Sequence, residues 1–169
     1  MCISMYRLSI PIFVRGFGVL SGYLDKAAAF ADENGLDPAT LVDARLAADM
    51  LPLAGQVQRA SDTSKNAVVR LTGIEAPRFA DTEATFAELQ QRIGNTLEFF
   101  AGIAPEQLQG SETREVTLVF GTFQAKLSGD EYLLTFALPN FYFHIATTHA
   151  ILRQQGVRIG KLDYLGPFG

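Results

Sequence analysis

Apolar residues recur at spacings of three and four over four long stretches of the chain, and they alternate over one short stretch. The first long stretch runs from about Ser4 or Ser9 to Glu33, with Phe13, Phe17, Leu20, Leu24, Ala28 and Ala31 on one helical face. Pro11 then sits in the first turn, or it kinks a longer helix. Gly16, Gly18 and Gly22 lower the helix propensity and imply close approach to a neighbour. Asn34-Gly35 is a stop signal. Asp37-Pro38 pairs an N-cap with an N1 proline and opens a short helix to about Arg45. The second long helix is predicted to start near Asp49 as N-cap, with Pro52 in its first turn and Gly73 at its end. Met50, Ala54, Val57, Ser64, Val68 and Leu71 form its buried stripe. Asp81 is predicted to cap the third helix, whose buried face carries Phe86, Leu89, Ile93, Leu97 and Phe100.

From Gly102 to Gly110 the pattern is that of a loop, with room for one short turn at Pro105. Between Arg114 and Leu127 the period changes to two. Val116, Leu118 and Phe120 alternate with other residues, as do Phe123, Ala125 and Leu127, around a tight Gly121-Thr122 turn. A lone hairpin is marginal in water, so its apolar face is expected to lie on the helices. Ser128-Gly129-Asp130-Glu131 has capping-box spacing and opens a fourth long helix, from Gly129 to about Gln155, with Gly156 as its C′ residue. The tail from Val157 is predicted to pack as extended coil. The pattern predicts an all-α fold: one four-helix bundle domain over residues 1–169, with a small β-hairpin inserted before the last long helix.

Composition narrows the function without choosing one. Hydrophobic residues make up 48% and charged residues 19%, a globular balance. The net charge is -4 with no basic cluster, which argues against nucleic acid as a partner. No run of about 18 uncharged apolar residues is present to span a bilayer, and arginines and a proline interrupt the apolar N-terminal stretch, so neither a membrane anchor nor a secretory signal is expected. The single cysteine, Cys2, permits no intrachain disulfide and reads as an inert thiol near a terminus; both points agree with a cytoplasmic protein.

The candidate chemistry lies on the fourth helix. Leu133, Ala137, Asn140, His144, Thr148 and Ile151 share one stripe, which places two strongly polar side chains in a core-facing row. Buried polar groups need partners. Pro139 removes one helical hydrogen bond and frees the carbonyl of Thr135, so a local kink beside Asn140 is expected. His149 lies about 140° around the helix from His144 at 3.6 residues per turn. The two histidines therefore do not share a metal, and His149 is read as partly exposed. On the second helix Asp49, Gln56 and Thr63 are seven apart and return to nearly one face. Asp49, Gln56, Asn140 and His144 then line a small-molecule pocket, or they form a buried hydrogen-bond network that fixes helix register. Asp62, Asp81 and Glu83 are read as solvated or capping residues. Phosphate-binding, dinucleotide, nucleophile-elbow and zinc-protease motifs are absent from the sequence.

The segments LAADMLPLAGQVQRASDTSK, FADTEATFAEL and FALPNFYFHIATTHAILRQQGVRIGKLDYLG resemble an uncharacterised bacterial family, a domain of unknown function in the DinB/YfiT-like superfamily. The resemblance covers nearly the whole chain. It implies a DinB-like four-helix bundle, a homodimer, and a metal held by one histidine of the second helix and an H-x-x-x-H pair of the last. Some members of the superfamily are thiol-dependent transferases or isomerases. His144 matches the second histidine of that pair; Asn140 stands at the first, and Gln56 stands near where the second helix would supply the third. One imidazole and two amides make a weak zinc or nickel site, so no stoichiometric metal is expected, with His144 as the ligand if one binds. Two readings follow. One is an enzyme with His144 as catalytic acid or base; the other is a non-catalytic binding or interaction module that kept the bundle and lost the metal.

Overall fold

A computed structural model describes residues 3–166, and of Phe120 and Phe123 the backbone only; Cys2 and the last three residues lie outside the described part. Ser4 caps α1 (Met5–Glu33) by accepting the Arg7 N–H at 3.3 Å, so the longer of the two expected helices forms and Pro11 lies within it. Gly16 is the close approach: a Cβ there would fall 2.8 Å from Ile145 and inside the Phe141 ring contact. Gly18 and Gly22 face open space instead, with no described atom near where a Cβ would be. The Asp37 side chain accepts the Ala39 N–H at 3.0 Å and opens α2 (Pro38–Val42), which ends before Arg45.

Two helix starts differ from expectation, each for a local reason. α3 (Leu53–Thr72) begins after Pro52, not at Asp49. A proline disfavours helical backbone in the residue before it, so Leu51 stays outside the helix and Pro52 becomes its N-cap with ψ 171°. α4 (Phe86–Ala101) is capped by Thr85, not Asp81: the Thr85 hydroxyl accepts the Glu88 N–H at 3.2 Å, and Glu88 accepts the Thr85 N–H at 3.0 Å. This reciprocal pair satisfies two orphan donors, which a lone aspartate farther upstream cannot do. Gly73, at φ +80°, ends α3 as expected.

Short 3₁₀ turns follow at Pro105–Leu108 and Ser111–Thr113. The strands β1 (Val116–Phe120) and β2 (Phe123–Leu127) pair antiparallel around Gly121, with Val116 opposite Leu127. Val116 and Leu118 are buried, so the hairpin does lay its apolar face on the helices.

The expected fourth long helix is divided. α5 (Gly129–Tyr132) passes through a widened π turn (Leu133–Ala137) into α6 (Leu138–Gln154). Glu131 accepts the Ser128 N–H at 3.2 Å, but the Ser128 hydroxyl donates to Asp130, so the capping box is half formed. The tail is not extended throughout; it forms a one-turn helix, α7 (Lys161–Leu165).

α1 and α3 each pack between α4 and α6, so the four long helices enclose one core. Its centre is aromatic: Phe13, Phe17, Phe100 and Phe141 meet with ring centroids 5.0–6.1 Å apart. No helix among the described residues is long and apolar enough to cross a membrane.

Candidate functional site

Pro139 shapes the last helix where the chemistry lies. It has no N–H to donate to the Thr135 carbonyl. The preceding turn widens instead, and the Leu138 N–H reaches back to Leu133. Such π turns are concentrated at functional sites.

Three cross-helix hydrogen bonds tie α3 to this segment. The Gln56 Oε1 lies 2.8 Å from His144 Nδ1, Asn140 donates to the Thr63 hydroxyl at 3.0 Å, and Arg70 donates to the Tyr132 hydroxyl at 3.0 Å. Gln56, Thr63 and Arg70 are seven apart on α3, which returns them to nearly one face. The polar row read from the sequence therefore exists, but it extends one heptad toward Arg70. Asp49 is exposed in the loop before α3 and has no part in it. The signal for Arg70 was already in the seven-residue period; a misplaced helix start turned the row the wrong way.

The rungs define the protonation state of His144. The Gln56 Nε2 donates to the Leu51 carbonyl at 3.0 Å, which leaves its Oε1 as the acceptor for the imidazole. His144 thus carries its proton on Nδ1, and Nε2 keeps its lone pair. Burial, reinforced by the charge of Arg59, lowers His144 from the ordinary imidazole value of 6.5 to about 4. The ring is neutral at physiological pH. Gln56 is 2% exposed and His144 8%. His144 Nε2 makes no hydrogen bond to a described residue, and it is not sealed from solvent.

A cleft of about 180 Å³ opens over this row, lined by Arg59, Asp62, Thr63, Asn66, Arg70, Tyr132, Phe136, Asn140 and His144. The structure brings together Gln56, Asn140 and His144 of the expected pocket. It adds Arg59, Arg70 and Tyr132, which sequence reasoning missed. A zinc or nickel ion does not suit this donor set. Gln56 Oε1 is engaged by His144, and the Asn140 amide by Thr63. One imidazole nitrogen remains. Among the described residues no group of three His, Cys, Asp or Glu is placed to hold a metal.

Two further polar clusters lie outside the cleft. His149 is half-buried, as expected, but not solitary: its Nδ1 lies 2.8 Å from the Tyr23 hydroxyl, and Tyr164 packs on its ring edge. Burial pushes the Tyr23 phenol well above its usual value. Asp62, Asp81 and Glu83 are not merely solvated or capping. All three converge on Arg92, whose side chain is 1% exposed, at 2.8–3.0 Å. Burial opposes the charge of Arg92, but these carboxylates outweigh it and raise its pKa. Its Nε is the one buried side-chain polar atom without a partner among the described residues.

The family model described as Domain of unknown function (DUF1993) matches residues 5–165. The chain is also similar to a solved structure, the crystal structure of a DinB family member protein from Shewanella denitrificans. The two share 40% sequence identity with a TM-score of 0.90, over 97% of this chain and 93% of that one. None of the curated proteins matches.

Proposed function

Because the chain belongs to the DUF1993 family and resembles a DinB family member over nearly its whole length, we propose that it is a DinB-like four-helix bundle that binds a small molecule in the cleft over Gln56, Asn140 and His144, without a metal. One observation carries this reading: Gln56 fixes the His144 proton on Nδ1 and leaves Nε2 as a neutral acceptor at the cleft. A buried register network would satisfy both ring nitrogens; among the described residues only one is satisfied. Binding is favoured over catalysis by His144. A group with a pKa of about 4 accepts a hydrogen bond at neutral pH but provides little driving force for proton abstraction. Nε2 therefore receives an O–H or N–H of the ligand.

The test is a thermal-shift screen of small polar metabolites against the parent chain and its His144→Asn variant, with imidazole nitrogen NMR on the hits. Ligands that stabilise the parent, move the His144 Nε2 resonance and lose their effect in the variant are expected. A screen in which hits stabilise both proteins equally, or leave Nε2 unmoved, sinks the reading. The homodimer implied by the superfamily resemblance is proposed alongside it, supported by the open face of α1 at Gly18 and Gly22. A monomeric mass by light scattering at high concentration refutes it.

A further inference from the structure

We infer that the ligand of this cleft carries an anionic group, a carboxylate or a phosphate, and that Arg70 seats it. The inference rests on the cleft reading above and adds the chemical class of the ligand.

The charges around the cleft are unequally compensated. Arg59 pairs with Asp62 at 3.0 Å and also with Asp81. Asp62, the carboxylate that lines the cleft, is held as well by Arg92 at 2.9 Å and by Lys65 at 3.5 Å. Arg70 makes no salt bridge among the described residues. Its contacts are the Tyr132 hydroxyl at 3.0 Å and the Tyr132 ring, 5.5 Å from Cζ to centroid. It is half-buried. A guanidinium has five N–H donors. Tyr132 takes one, and no other buried donor of Arg70 is left sealed without a partner, so the rest face the cleft or solvent.

Tyr132 also makes the arrangement rigid. Its side chain is fully buried, and burial keeps the phenol protonated by raising it above its usual value. The hydroxyl is therefore a fixed, neutral anchor that orients the guanidinium without neutralising it. A planar fork held in place and lacking a counter-ion is suited to bidentate recognition of a carboxylate or phosphate. The Thr63 hydroxyl accepts from Asn140 and retains its own proton as a further donor in the cleft. Arg70 also lies in the last turn of α3, where a cation favours the helix dipole. That role needs only proximity of charge; it does not require the Tyr132 anchor or an opening toward His144. The ligand is thus an anion at the Arg70 end with a hydroxyl or amine proton directed at His144 Nε2.

The full chain would be titrated with inorganic phosphate, acetate and succinate, and with acetamide as the neutral isostere of acetate. The readouts are the Nε–H resonance of Arg70 and the imidazole nitrogens of His144. At least one anion should move the Arg70 resonance saturably, while acetamide should not. Comparison of phosphate with the two carboxylates identifies which anion the site prefers. Read by titration calorimetry, because the substitutions remove the Arg70 resonance, Arg70→Gln should weaken the anion by about tenfold or more, and Arg70→Lys, which keeps the charge but not the fork, by less. The lysine variant stands in for the readout should the glutamine variant fail to fold. Absence of a saturable shift with every anion overturns the inference, as does equal affinity in Arg70→Gln. An uncharged ligand that moves His144 and not Arg70 overturns it too, while leaving the cleft reading intact. Acetate and succinate carry no proton to give to His144 Nε2, so a saturable shift at Arg70 alone upholds the anion seat.

Discussion

Acidification should destabilise this protein through His144 before its surface carboxylates are protonated. In the unfolded chain the imidazole takes up a proton near 6.5; in the fold it resists protonation down to about 4, because the ring is buried and Arg59 is near. Between those values the unfolded state binds more protons, so stability falls as pH falls. The contribution is fully present above 6.5 and is lost as pH drops through the folded value. The loss amounts to about 2 kcal/mol by pH 5 and about 3 kcal/mol by pH 4. Urea denaturation of the parent and of His144→Asn, at half-unit steps from pH 7.5 to 4, isolates this term. The difference between the two curves removes the contributions of His149 and the carboxylates, which both proteins share. The difference should change by the stated amount, and the unfolding slope should stay constant. A flat difference, or an imidazole titrating at its ordinary value in the folded protein, would refute a ring kept neutral by burial and Arg59.

Arg92→Met should cost about 3–5 kcal/mol in denaturation, because it leaves Glu83, Asp62 and Asp81 converging on a site without a cation. Gly16→Ala should destabilise by about 1–3 kcal/mol through overpacking on Phe141 and Ile145, whereas Gly18→Ala should stabilise a monomer by about 0.5–1 kcal/mol through helix propensity. If the Gly18 face is the dimer contact, light scattering of Gly18→Ala should show a weakened dimer instead. Tyr23→Phe should cost about 1 kcal/mol and change the His149 Nδ1 resonance, leaving His144 unaffected.

The elements of the fold were largely legible, because helical and strand periods are local properties. The α1 face, the Asp37 cap, the Gly73 stop and the Val116–Leu118 hairpin face all follow from residues a few positions apart. The helix starts at Asp49 and Asp81 were misread for the same kind of reason. Several capping signals compete within a few residues, and the proline restriction at Leu51 and the reciprocal Thr85–Glu88 pair outrank an isolated aspartate. The candidate site was legible only in part. The Asn140–His144 stripe and the seven-residue row on the second helix predicted which residues could meet, but not which end of the row would.

By itself, then, the sequence determined four amphipathic stretches, one hairpin, and two polar rows on faces that had to be buried. Tertiary structure decided how the rows engage. The rungs join residues 62 to 88 positions apart, and that register depends on the packing of whole helices and on the widened turn before Pro139. The same register assigns Asp49 to solvent and Arg70 to the cleft, directs Asp62, Asp81 and Glu83 to Arg92, and pairs His149 with Tyr23. It also sets the proton on His144 Nδ1, because the Gln56 amide is oriented by the Leu51 carbonyl on the far side. Helical periodicity places a side chain on a face; only packing determines which atom of a partner it meets, and on that atom the chemistry of the site depends.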